Sequence, residues 1–308
     1  MYKGKSVLAI SYGDANYSMS LKLNLFTAKI LGKVDKTIPF TPQMLSKEFI
    51  EENKEILSMK RGGGYWIWKP HIILEGLKKI EDGEYLVYTD AGMIYIQNVN
   101  KLITQMEKDE TEIFLSSGFV PNKEWCKRDA FVYMECDTEE YKNRIQVSGG
   151  YLVIKKSRKA EQFIKEWLYY VCMKEVITDE PNKCGLLNDK KFHEHRHDQA
   201  VLTNLATKWN LPCYKAVTHV DEPRAHIKAL HGKSDAYRYT YEERLERIQR
   251  KHKERGYIEA KYGRMFINTR IQNCTPIMFL LRLGYAIMYV VYVDIWGMLF
   301  DKKYLEKK

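Results

Sequence analysis

The run Tyr85-Leu86-Val87-Tyr88-Thr89 reads as an apolar strand that ends on Asp90, and the small residues Ala91 and Gly92 come next. Open α/β sheets bind ligands outside the carboxyl ends of their strands. A carboxylate at such an end, with little bulk after it, can hold a metal ion and a phosphate-bearing ligand. An acidic residue after a strand is weak evidence alone, because many such residues cap helices or face solvent. Asp90 gains weight from three later segments and their order. Gln146-Val147-Ser148-Gly149-Gly150-Tyr151 sets two glycines before an apolar strand, where a ligand or another backbone can approach closely. Asp198 and Gln199 open a helical pattern carrying Leu202 and Leu205, and Asp198 reads equally well as that helix's N-cap. Leu230-His231-Gly232-Lys233 then offers an imidazole, a flexible residue and a cation close together.

A second unusual stretch lies upstream, Arg61-Gly62-Gly63-Gly64-Tyr65-Trp66-Ile67-Trp68-Lys69-Pro70. Three glycines can form a loop whose backbone amides meet a phosphate. Tyr65, Trp66 and Trp68 can stack on a flat ring, or they can plug the core beneath a turn while Pro70 opens the next helix at its first position. The expectation is both: one tryptophan in the core, and Lys69 or Tyr65 at the site. Arg128, in Cys126-Lys127-Arg128-Asp129, is a further candidate cation, with a surface ion pair of little energetic value as the alternative.

These residues need a scaffold, and the hydrophobic pattern supplies one. Strand-like runs fall at 7–11, 37–40, 85–89, 113–115 and 150–154, and helical spacing falls at 18–31, 71–80, 162–173 and 198–209. Strands alternating with helices predict an α/β fold with a mostly parallel central sheet flanked by helices.

The ordered set Asp90-Ala91-Gly92, Ser148-Gly149-Gly150, Asp198-Gln199 and His231-Gly232 resembles the GT-A-fold glycosyltransferases of the glycogenin and bacterial lipopolysaccharide galactosyltransferase type. Residues 61–92 also resemble bacterial enzymes of capsule and surface-polysaccharide gene clusters. The resemblance covers roughly residues 5–235 and is specific in order and spacing more than in any one motif. It implies a nucleotide-sugar donor, a uridine diphosphate sugar, and a surface-polysaccharide or lipid-linked glycan acceptor, with transfer that retains anomeric configuration. It implies a divalent cation, Mn2+ or Mg2+, held by Asp90 and His231. It assigns Asp198 and Gln199 to catalysis. Donor contacts fall on Ser11, Tyr12 and Asp14 after the first strand, and on Tyr65, Lys69, Asp90, Ala91, Gly92, Arg128, Gln146, Ser148, Gly149 and Lys233. Two departures stand out. Gly92 occupies the place of the usual second aspartate, so the metal is either still held by Asp90 and His231 or its use is lost and the cations Lys69, Arg128 and Lys233 stand in for it; and Ser234-Asp235-Ala236-Tyr237 replaces the family's Lys-Pro-Trp.

Bulk properties frame this reading. The 308 residues carry a net charge of +10, and residues 241–308 hold 14 Lys/Arg against 8 Asp/Glu, so +6 of it lies there. The expected organisation is a catalytic domain over 1–240 and a basic, apolar helical extension over 241–308. Arg282 and Asp294 break the apolar stretch short of the ~20 residues a spanning helix needs. Tyr285, Tyr289, Tyr292 and Trp296 form one helical stripe of the kind that favours a membrane interface. Peripheral contact with an anionic membrane and a location at the inner face of the cytoplasmic membrane are therefore expected, with a helix packed on the domain's own core as the alternative. The six cysteines show no C-x-x-C pair, which suits reduced thiols. No nucleic-acid motif appears, so no nucleic-acid partner is expected. Two rival readings remain. His193, His195 and His197 alternate as metal ligands of a hydrolase do on a strand, or the chain is a non-enzymatic basic membrane-binding module.

Overall fold

Strand β1 (Val7–Tyr12) shows how the molecule is layered. Successive strand residues point to opposite faces. Leu8 and Ile10 join one buried cluster, and Val7 and Ala9 join another. The same split recurs in β3 (Tyr85–Thr89), with Leu86 and Tyr88 on one side and Tyr85 and Val87 on the other. A sheet whose strands are apolar on both faces must be covered on both. The computed structural model describes residues 1–214, 217–220, 265–268 and 272–300.

The central sheet has seven strands, in the order β2-β1-β3-β7-β5-β6 with β8 beside β5. β2 is Lys36–Phe40, β5 Ile113–Pro121, β6 Ile145–Val147, β7 Tyr151–Lys155 and β8 Cys213–Tyr214. The pairings make β1, β2, β3, β5 and β8 run one way, while β6 and β7 run the other. The expected α/β architecture with a mostly parallel sheet is therefore present.

Three helices cover the first face: α2 (Trp68–Leu77), α4 (Arg158–Val171) and α5 (His197–Lys208). The helix Asn100–Lys108, here α3, puts Leu102, Ile103 and Met106 on the second face. Helix α1 (Ser18–Ile30) adds Ala28 there. Burial of each such aliphatic side chain contributes roughly 1.5–3 kcal/mol. Ser157 caps α4 by accepting from the Ala160 N–H.

A second sheet, β4-β10-β9, lies over that second face. Its strands are β4 (Met93–Tyr95), β9 (Thr218–Val220) and β10 (Phe266–Asn268). Residue 240, where the domain boundary was expected, lies outside the described residues, as does 241–255. Beyond them the chain supplies β10 as well as helix α6 (Pro276–Phe300). The core side of α6, Phe279, Leu283 and Ala286, packs with Leu23, Leu31, Ile94, Ile96 and Ile267. Its other side leaves Ile277, Leu280, Leu281 and Met288 at least 65% exposed. Among the described residues no helix is long and apolar enough to cross a membrane.

Candidate active site

β1 and β3 run parallel and end at one edge of the sheet. β7 is antiparallel to β3, so it begins there: Thr89 faces Tyr151, and the Asp90 N–H donates to the Gly150 carbonyl at 2.8 Å. Asp90 and the Gly149-Gly150 pair, 60 positions apart in sequence, thus become neighbours. Tyr88, two residues back on the same strand, donates its hydroxyl to Asp90 Oδ1 at 2.6 Å. Asn24 of α1 braces the turn, its Nδ2 lying 2.8 Å from Thr89 Oγ1, 3.2 Å from the Asp90 carbonyl and 2.8 Å from the Met93 carbonyl. The Asp90 side chain remains 38% exposed.

Lys69, at the start of α2, joins this edge to α5. It is 3% exposed. Its Nζ donates to Asp198 Oδ2 at 2.6 Å and to the Gly149 carbonyl at 2.9 Å, and it lies 3.5 Å from Asp90 Oδ1. An ammonium has three N–H donors, and here three acceptors surround it. Burial works against its charge, but Asp198 and Asp90 outweigh that and lift its pKa above the ordinary lysine value. Burial likewise pushes the Asp198 carboxyl up to about 6, with Lys69 pulling it back toward ionisation. Asp198 is not the N-cap of α5, because Arg196 holds that place. Its carboxylate goes to Lys69, and its carbonyl accepts from Trp167 Nε1 at 3.2 Å.

Both Lys69 and Asp198 come after strained backbone. Gly62, Gly63, Gly64, Tyr65 and Trp66 all have positive φ, at 60°, 59°, 90°, 52° and 61°. Gly62–Tyr65 is a left-handed turn, closed by Tyr65 N–H to Arg61 O at 2.7 Å and Trp66 N–H to Gly62 O at 3.3 Å. Three glycines make such a turn accessible, but the side chains of Tyr65 and Trp66 oppose it by roughly 1–2 kcal/mol each. His197 is a third strained residue, with φ 47°. Its ring meets both: centroids lie 4.8 Å from Tyr65 and 5.4 Å from Trp66. Strain of this kind persists only where packing over-determines it. Here it sits immediately before Asp198 and three residues before Lys69, the two residues of the buried ion pair.

The histidine triplet is otherwise occupied. His195 Nδ1 accepts from the Lys127 N–H and its Nε2 meets the Val176 carbonyl, while His197 Nδ1 meets the Ile177 carbonyl. His193 lies against Trp125. Burial drives the His195 pKa far down and that of His197 down to about 4. Among the described residues, no three His, Cys, Asp or Glu side chains are placed to hold a metal.

The remaining expected residues fall at and around this edge. A side chain at Gly149 would be tight, since a Cβ would stand 3.2 Å from Asp198 Oδ2 and 3.3 Å from Gln199 Cβ. Ser148 Oγ accepts from the Gly150 N–H at 3.4 Å. Gln199 donates to the fully buried Gln146. Ser11 is buried, its hydroxyl without a partner among the described residues. Tyr12 stacks on the buried Trp68 with centroids 3.8 Å apart, and burial raises its pKa to about 12. Asp14 caps the turn at Asn16 and Tyr17. Ala91 packs with Leu21 and Leu25, and Gly92 completes the turn into β4. Arg128 is not brought to this cluster. Its Nε and Nη2 donate to Asp137 at 3.0 and 2.7 Å, and it lines a cavity with Lys123, Lys142 and Asp189. His231 and Lys233 lie outside the described residues. The sequence reading missed Tyr88, Asn24 and Trp167. Tyr88 was visible as an i, i+2 neighbour of Asp90, and Asn24 as a polar residue inside the apolar spacing of α1.

No protein-family profile matches the chain, and no curated protein matches it either. Solved structures similar to it are glycosyltransferases. The galactosyltransferase LgtC, in complex with donor and acceptor sugar analogs, is 10% identical with a TM-score of 0.41, over 98% of this chain and 100% of that one. The bifunctional glycosyltransferase WbbM is 8% identical with a TM-score of 0.48, over 99% of this chain and 52% of that one. Mouse xyloside xylosyltransferase 1 is 11% identical with a TM-score of 0.41, over 73% of this chain and 91% of that one.

Proposed function

We propose that this protein transfers a sugar from a nucleotide-sugar donor, a uridine diphosphate sugar, to a surface-polysaccharide or lipid-linked glycan acceptor. The observation that carries the proposal is the Asp90–Lys69–Asp198 cluster at the carboxyl ends of β1 and β3. Gly149 lets the turn before β7 pack closely against Asp198 and Gln199, where a Cβ would stand 3.2 and 3.3 Å from them, and its carbonyl ties that turn to Lys69. Asp198 and Gln199 offer oxygens toward sugar hydroxyls and the anomeric carbon. The Tyr12–Trp68 stack stands at the end of β1, where a base would lie.

The charges decide what else is needed. Two carboxylates and one ammonium leave the cluster net negative, and Asp90 is its exposed member. A diphosphate would be repelled there unless a cation intervened. A hard divalent cation accepts one or two protein carboxylates plus phosphate oxygens and water, which suits a lone open carboxylate at Asp90. Asp90 with His231 would hold Mn2+ or Mg2+, and the ion would stabilise negative charge on the departing diphosphate. Lys69 orients Asp198 in the proposed mechanism, and Tyr88 fixes one oxygen of Asp90 so that the other faces outward. Asp198 is locked to Lys69 and is a poor base for an incoming hydroxyl, which supports retention of configuration.

The exposed apolar side of α6 and the +6 balance of 241–308 support peripheral attachment to an anionic membrane at its cytoplasmic face. The direct experiment is turnover with a panel of nucleotide sugars, with and without Mn2+. Activity with one donor, lost in Asp90→Ala while the fold is kept, is expected. Undiminished turnover by Asp90→Ala overturns the site.

A further inference from the structure

Gln199 is held by a chain of buried side-chain amides, and that chain has a direction. Asn122 Nδ2 donates to the Tyr141 carbonyl at 3.2 Å and to Asn204 Oδ1 at 2.8 Å. A backbone carbonyl can only accept, so this end of the Asn122 amide is its nitrogen. Its Oδ1 is left to accept from Gln146 Nε2 at 3.1 Å, and the same nitrogen donates to the Trp125 carbonyl at 3.1 Å. Both N–H groups of Gln146 are then used. Its Oε1 can only accept, and Gln199 Nε2 donates to it at 2.8 Å. Asn122 and Gln146 are 0% exposed and Asn204 is 1% exposed. Turning Asn122 or Gln146 over would set acceptor against acceptor where no water can repair the loss, which is the costly case for a buried polar network. Two backbone carbonyls, Tyr141 and Trp125, thus fix the polarity of the whole chain. The amide nitrogen of Gln199 is committed inward, and its Oε1 has no partner among the described residues.

We infer that Gln146 is a positioning residue that turns the Gln199 amide so that its carbonyl oxygen, and not its NH2 group, faces the reacting sugar. The inference rests on the sugar-transfer reading and revises the expected role of Gln146 from donor contact to orientation of its neighbour. The sign of the exposed end matters for that reaction. As the bond from the anomeric carbon to the diphosphate breaks, positive charge grows on that carbon. A carbonyl oxygen aimed there stabilises it, and an NH2 group would oppose it.

The test is Gln146→Leu in the full chain, alone and in a Gln199→Ala background, with thermal unfolding measured throughout. With Gln199 intact, Gln146→Leu is expected to lower kcat by about 10–100-fold while donor affinity is retained, the scale of a misplaced reacting group. In the Gln199→Ala background, Gln146→Leu has no further effect on kcat, because the two residues act as one unit. Equal losses in both backgrounds, or a loss that only tracks the unfolded fraction, overturn the inference. Exchange of the Gln199 side-chain amide protons, followed by 15N NMR, reads the orientation without turnover. Slow exchange in the wild type should become fast in Gln146→Leu, and slow exchange in both overturns the inference by itself. A wild type that binds no nucleotide sugar would instead sink the sugar-transfer reading, and the exchange result would still decide the role of Gln146.

Discussion

Replacing Lys69 by Met should destabilise the protein in proportion to pH, and the size is set by Asp198. Its carboxyl sits at about 6 in the fold against 3.8 unperturbed. A folded pKa above the unfolded one means stability is present at low pH and is lost as pH rises through the folded value. Even with Lys69 in place, ionised Asp198 therefore costs about 3 kcal/mol at pH 8, from roughly two pKa units at 1.36 kcal/mol each. Without the ammonium at 2.6 Å, the carboxyl has one escape, which is to stay protonated. Holding it neutral costs about 6 kcal/mol at pH 8 and about 4 kcal/mol at pH 7, by the same arithmetic. The extra penalty of Lys69→Met through Asp198 is thus at most about 3 kcal/mol at pH 8, about 1 kcal/mol at pH 7 and close to zero at pH 5, where the wild-type carboxyl is already largely neutral. Loss of the contacts to Gly149 and Asp90 adds a part that varies little with pH. Urea unfolding of both proteins at pH 5, 7 and 8, monitored by tryptophan fluorescence, measures the difference. Asp198→Asn in the Lys69→Met background should remove the pH dependence. A stability difference that is flat from pH 5 to pH 8 would falsify the claim that Lys69 keeps Asp198 ionised.

Two further outcomes separate the parts of the site. Gly149→Ala should cost about 10–100-fold in kcat, because its methyl group presses Asp198 Oδ2 and Gln199 Cβ at 3.2 and 3.3 Å. Gly150→Ala should cost less, since the atom it meets at 2.6 Å is the flexible end of Met93, and a larger loss from Gly150→Ala would reverse this account of the edge. For the membrane, full-length Leu280→Asp/Leu281→Asp should lose co-sedimentation with anionic phospholipid vesicles while keeping its melting temperature, as both side chains are about two-thirds exposed. Unchanged sedimentation of this double variant would remove α6 from the attachment.

How far the sequence carried the site depends on whether a residue acts through near neighbours in the chain or distant ones. Asp90 was legible because an apolar run of β propensity stops on it. The glycine pair was legible because a strand begins right after it, and both meet at one edge because β7 returns antiparallel to β3. The left-handed turn at 62–66 was legible only as three glycines. Nothing local asks Tyr65 and Trp66 for positive φ, and the packing that accompanies it there comes from His197, more than 130 positions away. Lys69 is the sharper case. Beside Trp68 and Pro70 it reads as a cation for the donor, and only the approach of α2 to α5 gives it Asp198, 129 positions on. That approach also reframes Gly92. With the second aspartate absent, Asp90 is the exposed carboxylate of the cluster, and Asp198 is spoken for by a buried ammonium. A carboxylate at position 92 would add another negative charge beside Asp90, whereas Lys69 lets Asp198 stay ionised beside Asp90. The absence of a carboxylate at position 92 and the burial of Lys69 against Asp90 and Asp198 both limit the negative charge at this edge.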